Sequence, residues 1–344
     1  MINVGMIGCG KIAQVRHIPE CLSNPDAAIA GFYDFNMDRC RELADKFRAK
    51  PYTDYEEMLK TPSIDAVCVL TSNDTHAKIA IKALNAGKHV LCEKPMATTL
   101  EDCEAMVAAA KKTGKILMIG QNQRFIKTHR KAKELLKEGL IGDIITFRTT
   151  FGHSGADGWS IDGNKSWFFN IERAIFGAMG DLGIHKTDLI HFLTGQRITS
   201  VLAYIGTLDK KDSTGVNKIQ VDDNAICIYT MTGGAVGTMT ASWTYYGKED
   251  NSTVLYGSKG IMRIYDDPDH SLVVDLHDGS RISYDLDWIQ TNDNQTKSGV
   301  MDEFLNCIKE GREPEASGAE VLYSMKPVFA AMESGKTGKI VKIK

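Results

Sequence analysis

Glu93-Lys94-Pro95 is the first of two stretches whose residues could carry proton and charge chemistry. It sets a carboxylate and an ammonium directly after an apolar run at residues 89–92. Proline withholds a backbone donor, so the strand should end there, at the carboxyl edge where open α/β sheets bind ligands. Lys94 would then point into a cleft. The alternative is that Glu93 and Lys94 form a solvated charge pair in a loop.

The second stretch contains Asp181 and His185, four residues apart in a helical pattern. This spacing puts both side chains on one face, where the carboxylate can orient the imidazole as a general base. Two structural alternatives remain open. Asp181 follows Gly180 and could be a helix N-cap, and a histidine within a helix is often a buried core residue.

A glycine-rich turn indicates a dinucleotide. Gly8 and Gly10 open a G-x-G-x-x-A pattern between an apolar strand at residues 2–7 and a helical pattern. The first glycine permits a tight turn, the second lets the backbone approach a pyrophosphate, and Ala13 allows close packing. Asp34 ends the second strand about 20 residues later, where a carboxylate can bind ribose hydroxyls. It could also be a turn or cap residue. Its charge would repel a 2′-phosphate, so NAD is favoured, while NADP stays open.

Strand and helix patterns alternate up to about residue 120, which is typical of a parallel sheet covered by helices. Polar residues follow several of these strands, so their side chains should converge on one crevice. From residue 199 to about 285 the pattern is β, with Gly233-Gly234 as a hairpin signal. We therefore predict an α/β domain at 1–123 and an α+β domain at 124–344. The helix at about 319–334 is a candidate to pack back on the first domain.

The composition of the 344 residues is that of an ordinary soluble globular protein, with a net charge of -3. We expect no nucleic-acid partner and no membrane association, because there is no strongly basic field and no apolar run of ~20 residues. A cytoplasmic location is predicted. The eight cysteines form no Cys-x-x-Cys pair, which indicates reduced core residues and no metal site.

Taken together, the motifs resemble those of the glucose-fructose oxidoreductase and inositol dehydrogenase family (Gfo/Idh/MocA). The glycine-rich turn, Glu93-Lys94-Pro95 and the run from Gly180 to Asp188 occur in the family's order, and residues 318–341 resemble its terminal helix and strand. The resemblance covers essentially the whole chain. Two departures are Ser72, where many members carry proline, and Lys186, which follows the family histidine.

The resemblance implies an N-terminal Rossmann domain, with a mainly parallel sheet, and a C-terminal open-faced, mostly antiparallel sheet domain. It implies an NAD(P)-dependent dehydrogenase that transfers hydride between nicotinamide and a secondary alcohol or ketone of a sugar, inositol or sugar derivative. Lys94, Asp181 and His185 would be catalytic, with His185 as the base and Lys94 bonded to the reacting oxygen. It also implies a homodimer or homotetramer through the C-terminal sheet and a cis Lys94–Pro95 bond.

The predicted binding residues fall into two sets. Those expected to bind the cofactor are Gly8, Gly10, Lys11, Ile12, Asp34, Thr71, Ser72, Asn73, His76, Glu93, Lys94 and Gln123. Those expected to bind substrate are Arg124, His153, Trp159, Trp167 and Lys186, partly because the irregular stretch 152–169 is long for a passive connector. Around residues 73–75 helix capping is an equally good interpretation. Two other functions remain open, an NAD-dependent glycosidase that uses transient oxidation and a non-catalytic NAD-binding regulator.

Overall fold

The computed structural model describes residues 1–289 and 296–343. The chain groups into two compact units, one formed by Met1–Asn122 with Gln290–Leu322 and the other by Gln123–Ile289 with Tyr323–Lys344. The boundary between these units falls inside the last long helix. The domain borders predicted from the sequence stay a prediction.

The first unit is built on a six-stranded, wholly parallel sheet with strand order β3-β2-β1-β4-β5-β6. Its strands are β1 (Ile2–Ile7), β2 (Ala27–Tyr33), β3 (Lys50–Pro51), β4 (Ala66–Val69), β5 (His89–Cys92) and β6 (Leu117–Ile119). β4 is buried at every position, as expected for a strand covered on both faces. The strand order reverses beside β1, and ligands bind at such a switch point in open α/β sheets.

Helices join these strands. They are α1 (Ile18–Ser23), α2 (Met37–Phe47), α3 (Tyr55–Lys60), α4 (His76–Asn85) and α5 (Leu100–Thr113). The side chain of Thr99 caps the start of α5, and Gly114 ends it in the left-handed conformation. β3 and α3 were not predicted, because both are too short to show a clear periodicity.

The second unit contains a nine-stranded sheet with strand order β14-β13-β12-β11-β7-β10-β9-β8-β15. Its strands are β7 (Ile144–Gly152), β8 (Ile198–Gly206), β9 (Asn224–Met231), β10 (Val236–Ser242), β11 (Thr253–Gly257), β12 (Gly260–Ile264), β13 (Leu272–Leu276), β14 (Arg281–Tyr284) and β15 (Val341–Lys342). Seven of the eight neighbouring pairs are antiparallel, and only β10 and β7 run parallel. The predicted fold class is therefore confirmed.

The remaining helices differ in burial. They are α6 (Lys127–Lys137), α7 (Ile171–Ala174), α8 (Ile184–Thr194), α9 (Val300–Glu310) and α10 (Gly318–Thr337). α8 is buried from Ile184 to Leu193, so none of its faces is exposed to solvent over that range. After Gly152, the last residue of β7, the stretch up to residue 169 contains only short 3₁₀ turns and irregular segments, as the sequence pattern predicted. Within 1–289 and 296–343, no helix has the length and apolar character needed to cross a membrane.

Candidate functional site

In the first unit the predicted cofactor residues follow the carboxyl ends of neighbouring parallel strands. Gly8 follows β1, Asp34 follows β2, Thr71 lies just beyond β4, and Glu93 follows β5. The order β2-β1-β4-β5 makes these four strand ends neighbours along one edge of the sheet. These residues therefore follow neighbouring strand ends, and the convergence of their side chains on one crevice stays a prediction.

The glycine-rich turn has the geometry that a pyrophosphate needs. Gly8 has a φ of +104°, and a Cβ on it would lie 2.5 Å from the carbonyl oxygen of Leu70, so only glycine fits. A Cβ on Gly10 would meet nothing within 4 Å, which leaves open space beside the backbone. Lys11 and Ile12 continue the turn into the helical segment. These features fit a dinucleotide bound at this turn.

Asp34 is joined to the turn by a backbone contact. Its Oδ2 accepts the N–H of Cys9 at 2.7 Å, and its Oδ1 accepts the N–H of Asn36 at 2.8 Å. Asn36 rather than Asp34 is the N-cap of α2, since its side chain accepts the N–H of Arg39. Asp34 thus has the turn role considered above, and its carboxylate lies next to the glycine-rich turn.

The segment after β4 is tied to the segment after β5 by His76. Its Nδ1 lies 2.9 Å from the carbonyl oxygen of Pro95, and its Nε2 lies 3.1 Å from that of Thr71. Ser72 and Asn73 are both buried, and Ser72 Oγ donates to Asp74 at 2.6 Å. Burial lowers the pKa of His76, although both carbonyl contacts oppose the shift.

Lys94 follows the buried Glu93 and precedes Pro95, whose carbonyl oxygen contacts His76. Glu93 is 5% exposed, and Lys94 is half-buried. The Lys94–Pro95 peptide bond is cis, which confirms that prediction.

In the second unit, Asp181 and His185 lie on consecutive helical segments of different type. Asp181 belongs to a π-turn, Met179–Gly183, and His185 lies in the first turn of α8. The Oδ2 of Asp181 accepts a hydrogen bond from the indole Nε1 of Trp243 at 3.0 Å. The His185 ring lies 6.0 Å from that of Phe151. Asp181 and His185 are each 6% exposed.

Asp222 anchors the start of this helical segment. Its two carboxylate oxygens accept the N–H groups of Gly177 and Met179, each at 2.7 Å, and its carbonyl accepts that of Ala178 at 2.8 Å. Burial raises the pKa of Asp222 to about 6, against the effect of the backbone donors. Asp181 lies inside the π-turn and is not an N-cap, so that alternative is wrong.

Arg124 is held by an ion pair. Its Nε and Nη2 donate to the two carboxylate oxygens of Asp188 at 2.7 and 2.6 Å, and both side chains are 2% exposed. Ser324 Oγ also donates to Asp188, at 2.7 Å. This fully buried bidentate pair favours a structural role for Arg124, and its contact with substrate stays a prediction.

Gln123 and Lys186 converge on Asn251. Gln123 Nε2 donates to Asn251 Oδ1 at 3.2 Å, and Lys186 Nζ donates to the Asn251 carbonyl at 2.9 Å. The carbonyl of Gln123 lies 2.8 Å from His129 Nδ1. Burial lowers the pKa of His129 to about 3, and the charge of Lys186 adds to this shift.

The irregular stretch 152–169 contributes an aromatic cluster. The Trp167 ring stacks on Phe168 at 4.1 Å, and the Trp159 ring lies edge-on to Phe168 at 5.5 Å. The same Phe168 lies 6.5 Å from Trp243, the donor to Asp181. The His153 ring lies 5.8 Å from that of Phe151, and its Nδ1 accepts the N–H of Gly155. The two predicted tryptophans are thus connected to Asp181 through aromatic contacts.

Two family models match the chain. The Gfo/Idh/MocA oxidoreductase family, with its NAD-binding Rossmann fold, matches residues 2–121, and the Gfo/Idh/MocA C-terminal domain matches residues 129–263. The chain belongs to the Gfo/Idh/MocA family. The resemblance read from the motifs is thereby confirmed, as is the prediction of an NAD(P)-dependent dehydrogenase.

Several members of the Gfo/Idh/MocA family are similar over most of their length. Myo-inositol 2-dehydrogenase of Thermotoga maritima is 28% identical over 345 residues, covering 99% of this chain and 98% of that protein. Levoglucosan dehydrogenase of Pseudarthrobacter phenanthrenivorans is 30% identical over 292 residues, covering 75% and 72%. A solved structure of levoglucosan dehydrogenase with NADH and levoglucosan is 26% identical, covers 100% of this chain and 99% of that one, and has a TM-score of 0.85.

Sequence reasoning missed two residues that hold the Gfo/Idh/MocA motif around Asp181. Asp222 lies 43 residues from Met179, and Trp243 lies 62 residues from Asp181. No local pattern links such distant positions. Asp222 and Asp223 are adjacent acids between two β patterns of the sequence, and this pairing was an available signal. The structure buries both residues, and buried carboxylates require hydrogen-bond donors.

The predicted site residues therefore form two groups, one in each unit. Lys94, Glu93 and the residues from Gly8 to His76 belong to the first unit, and Gln123, Asp181, His185 and the substrate candidates belong to the second. In the part of the chain that the structure describes, no group of three or more His, Cys, Asp or Glu side chains could hold a metal ion.

Proposed function

We propose that this protein transfers hydride between a nicotinamide cofactor and the CH–OH carbon of a sugar, an inositol or a sugar derivative. The observation that carries the proposal is the edge of the parallel sheet where the glycine-rich turn, Asp34 and Lys94 follow neighbouring strands. Members of the same family named as myo-inositol 2-dehydrogenase and levoglucosan dehydrogenase support the substrate class.

Lys94, Asp181 and His185 are the proposed catalytic residues. When bound, the nicotinamide supplies the hydride acceptor or donor. Lys94 donates a hydrogen bond to the reacting oxygen and stabilises the negative charge that develops there. His185 accepts the hydroxyl proton, and Asp181 stabilises the imidazolium that results. The Trp243 bond to Asp181 supports this role, because it holds the carboxylate in one place.

We propose NAD rather than NADP as the cofactor. Asp34 lies next to the glycine-rich turn through its bond to Cys9, and a carboxylate there would repel a 2′-phosphate. The contacts to the cofactor are assigned to the twelve residues named for it above. The protein is further proposed to act as a homodimer or homotetramer through its second sheet.

A panel of polyols, sugars and sugar derivatives tests the function, with NAD and NADP compared side by side and reduced nicotinamide measured by absorbance. We expect turnover with at least one panel member and a higher kcat/KM with NAD. Lys94→Met should lower kcat by about 100-fold or more, with a much smaller change in the Kd for NAD. Lys60→Met, which removes an exposed lysine at the end of α3, is the matched control.

Two results would contradict the proposal. Wild-type turnover in Lys94→Met would remove the lysine from the chemistry. Release of free sugar from an aryl glycoside, without net formation of NADH, would identify a glycosidase instead of a dehydrogenase.

A further inference from the structure

The carboxylate of Glu93 is the centre of a buried network at the end of β5. Its Oε1 accepts hydrogen bonds from Arg16 Nη1 at 3.1 Å and from His17 Nε2 at 2.7 Å. Its Oε2 accepts the backbone N–H of Lys94 at 3.1 Å. One carboxylate thus joins two basic side chains to the residue that is proposed to contact the reacting oxygen.

Arg16 and His17 reach Glu93 because the helix after the glycine-rich turn is irregular. Residues Ala13–His17 form a π-turn. The hydrogen bonds of a π-turn run from residue i to i+5, so adjacent side chains diverge less than on an α-helix. Two consecutive side chains can therefore converge on a single oxygen.

The network is shielded from water. The side chains of Arg16 and Glu93 are 5% and 6% exposed, and that of His17 is fully buried. Gly120, which follows β6, packs against the carboxylate, since a Cβ on it would lie 2.9 Å from Oε1 of Glu93. A charge in such a place is tolerated only when it is paired and hydrogen-bonded.

The contacts keep Glu93 ionised. Burial by itself would raise the pKa of Glu93, but the hydrogen bond from His17 and the charges of Arg16, His17 and Lys94 together hold it well below its usual range. Removal of either donor should raise the pKa of Glu93, because one of the contacts that oppose the effect of burial is then lost.

Three other titratable groups lie near Glu93. They are the thiols of Cys68 on β4 and Cys92 on β5, and the imidazole of His76 on α4. Burial raises the pKa of both thiols well above their usual range and lowers that of His76. All three are therefore uncharged near neutral pH, so they add no charge around Glu93.

We propose that Arg16 and His17 are positioning residues for Lys94. They fix the Glu93 carboxylate, which holds the Lys94 backbone and keeps a negative charge beside its side chain. This inference rests on the proposed role of Lys94 in hydride transfer and deepens it. It also connects the helix that follows the glycine-rich turn to the proposed catalytic lysine.

Two His17 variants separate positioning from general stability. His17→Leu removes the donor, and His17→Gln keeps an N–H donor. We expect His17→Leu to lower kcat by up to about 100-fold, with much smaller changes in KM and in the Kd for NAD. Its kcat should fall further at mildly acid pH, because Glu93 then takes up a proton that it does not bind in the wild type. His17→Gln should restore most of the rate and the wild-type pH profile.

A second readout does not depend on turnover. The rate at which an acylating reagent modifies Lys94 is measured by peptide mass spectrometry in the protein without cofactor. His17→Leu should change this rate several-fold, because Lys94 loses its fixed backbone and its neighbouring charge. The exposed Lys60 should react as in the wild type, and His17→Gln should resemble the wild type at both lysines.

The control variant is His89→Gln, at the opposite end of β5, where the ring accepts the N–H of Ile116. It should leave kcat and the rate of Lys94 acylation unchanged.

If His17→Leu does not fold, as judged by circular dichroism, Arg16→Met takes its place with the same expected results. Unchanged kcat, pH profile and Lys94 reactivity in the folded variant would overturn the inference. A wild-type protein that oxidises no panel member, while Lys94 reactivity still responds to His17, would overturn the proposed function and support the positioning contact.

Discussion

Lys186 is a charged side chain with none of its surface exposed. Its ammonium donates to the Asn251 carbonyl and lies 5.9 Å from the centre of the Phe151 ring. Burial lowers the pKa of Lys186 to about 7, although the carboxylates of Asp250 and Glu249 oppose the shift. A lysine in this state costs free energy of folding whenever it is protonated.

The pH dependence of stability tests this property. The pKa of Lys186 is lower in the folded than in the unfolded protein. The contribution of Lys186 to the free energy of unfolding is therefore most favourable above the unfolded pKa, and it is lost as the pH falls toward 7. The free energy of unfolding of the wild type, relative to Lys186→Met, should therefore rise by on the order of 1–3 kcal/mol between neutral and alkaline pH. Urea titrations across this range measure the difference. Lys60→Met is the control and should show no such trend; a flat difference for Lys186→Met would contradict the prediction.

At the scale of elements, two π-turns occur where the sequence predicts regular helix. Ala13–His17 follows the glycine-rich turn, and Met179–Gly183 precedes His185. Such turns are common at functional sites because they redirect side chains that a regular helix would place elsewhere. A tight backbone contact lies two residues before the second π-turn. A Cβ on Gly177 would lie 1.7 Å from the carbonyl oxygen of Asp222.

Gly177→Ala should disturb this element. The added methyl group cannot fit beside the Asp222 backbone, so the contact between Gly177 and Asp222 must open and Asp181 must shift. We expect a loss of about 1–3 kcal/mol in stability and a fall in kcat larger than the rise in KM. Thermal unfolding and steady-state kinetics measure both. Gly247→Ala is the control, because a Cβ there meets nothing within 4 Å; equal behaviour of the two variants would refute the prediction.

At the scale of the whole molecule, one face of the second sheet carries exposed apolar side chains. Leu202 pairs with Ile228 and Tyr204 with Ile226 across β8 and β9, and Val236 lies nearby on β10. These five side chains are between 36% and 51% exposed. Apolar patches of this kind mark interaction surfaces, which supports the proposed association of copies through this sheet.

Mutation of this face should change the oligomeric state. Ile226→Asp places a charge within the patch, opposite Tyr204, so we expect it to shift a dimer or tetramer toward monomer. Sedimentation equilibrium or light scattering measures the mass. Val216→Asp alters an equally apolar but separate exposed position and should leave the mass unchanged. A monomeric wild type, or an Ile226→Asp variant of wild-type mass, would contradict the proposed interface.

Much of the fold followed from local patterns. Helices α2 and α5 belong to the predicted alternation of strands and helices up to about residue 120, and capping residues and apolar periodicity define the ends of both. The hairpin at Gly233-Gly234 joins β9 and β10 as expected, with Gly234 at a φ of +86°. The irregular helix at Ala13–His17 was not predicted, since a π-turn differs from an α-turn by a single residue and leaves the apolar pattern almost unaltered.

The sequence by itself determined the alternation of strands and helices, the glycine-rich turn, the charged ends of β2 and β5 and the family of the protein. Backbone sterics and burial act over a few residues, and such short-range rules are written in residue order. Only the tertiary structure decided that Arg124 pairs with Asp188, that Asp222 anchors the Asp181 turn, and that Arg16 and His17 hold Glu93. Each of these contacts joins residues that are 43 to 77 positions apart, and which distant segments meet depends on how the whole chain packs.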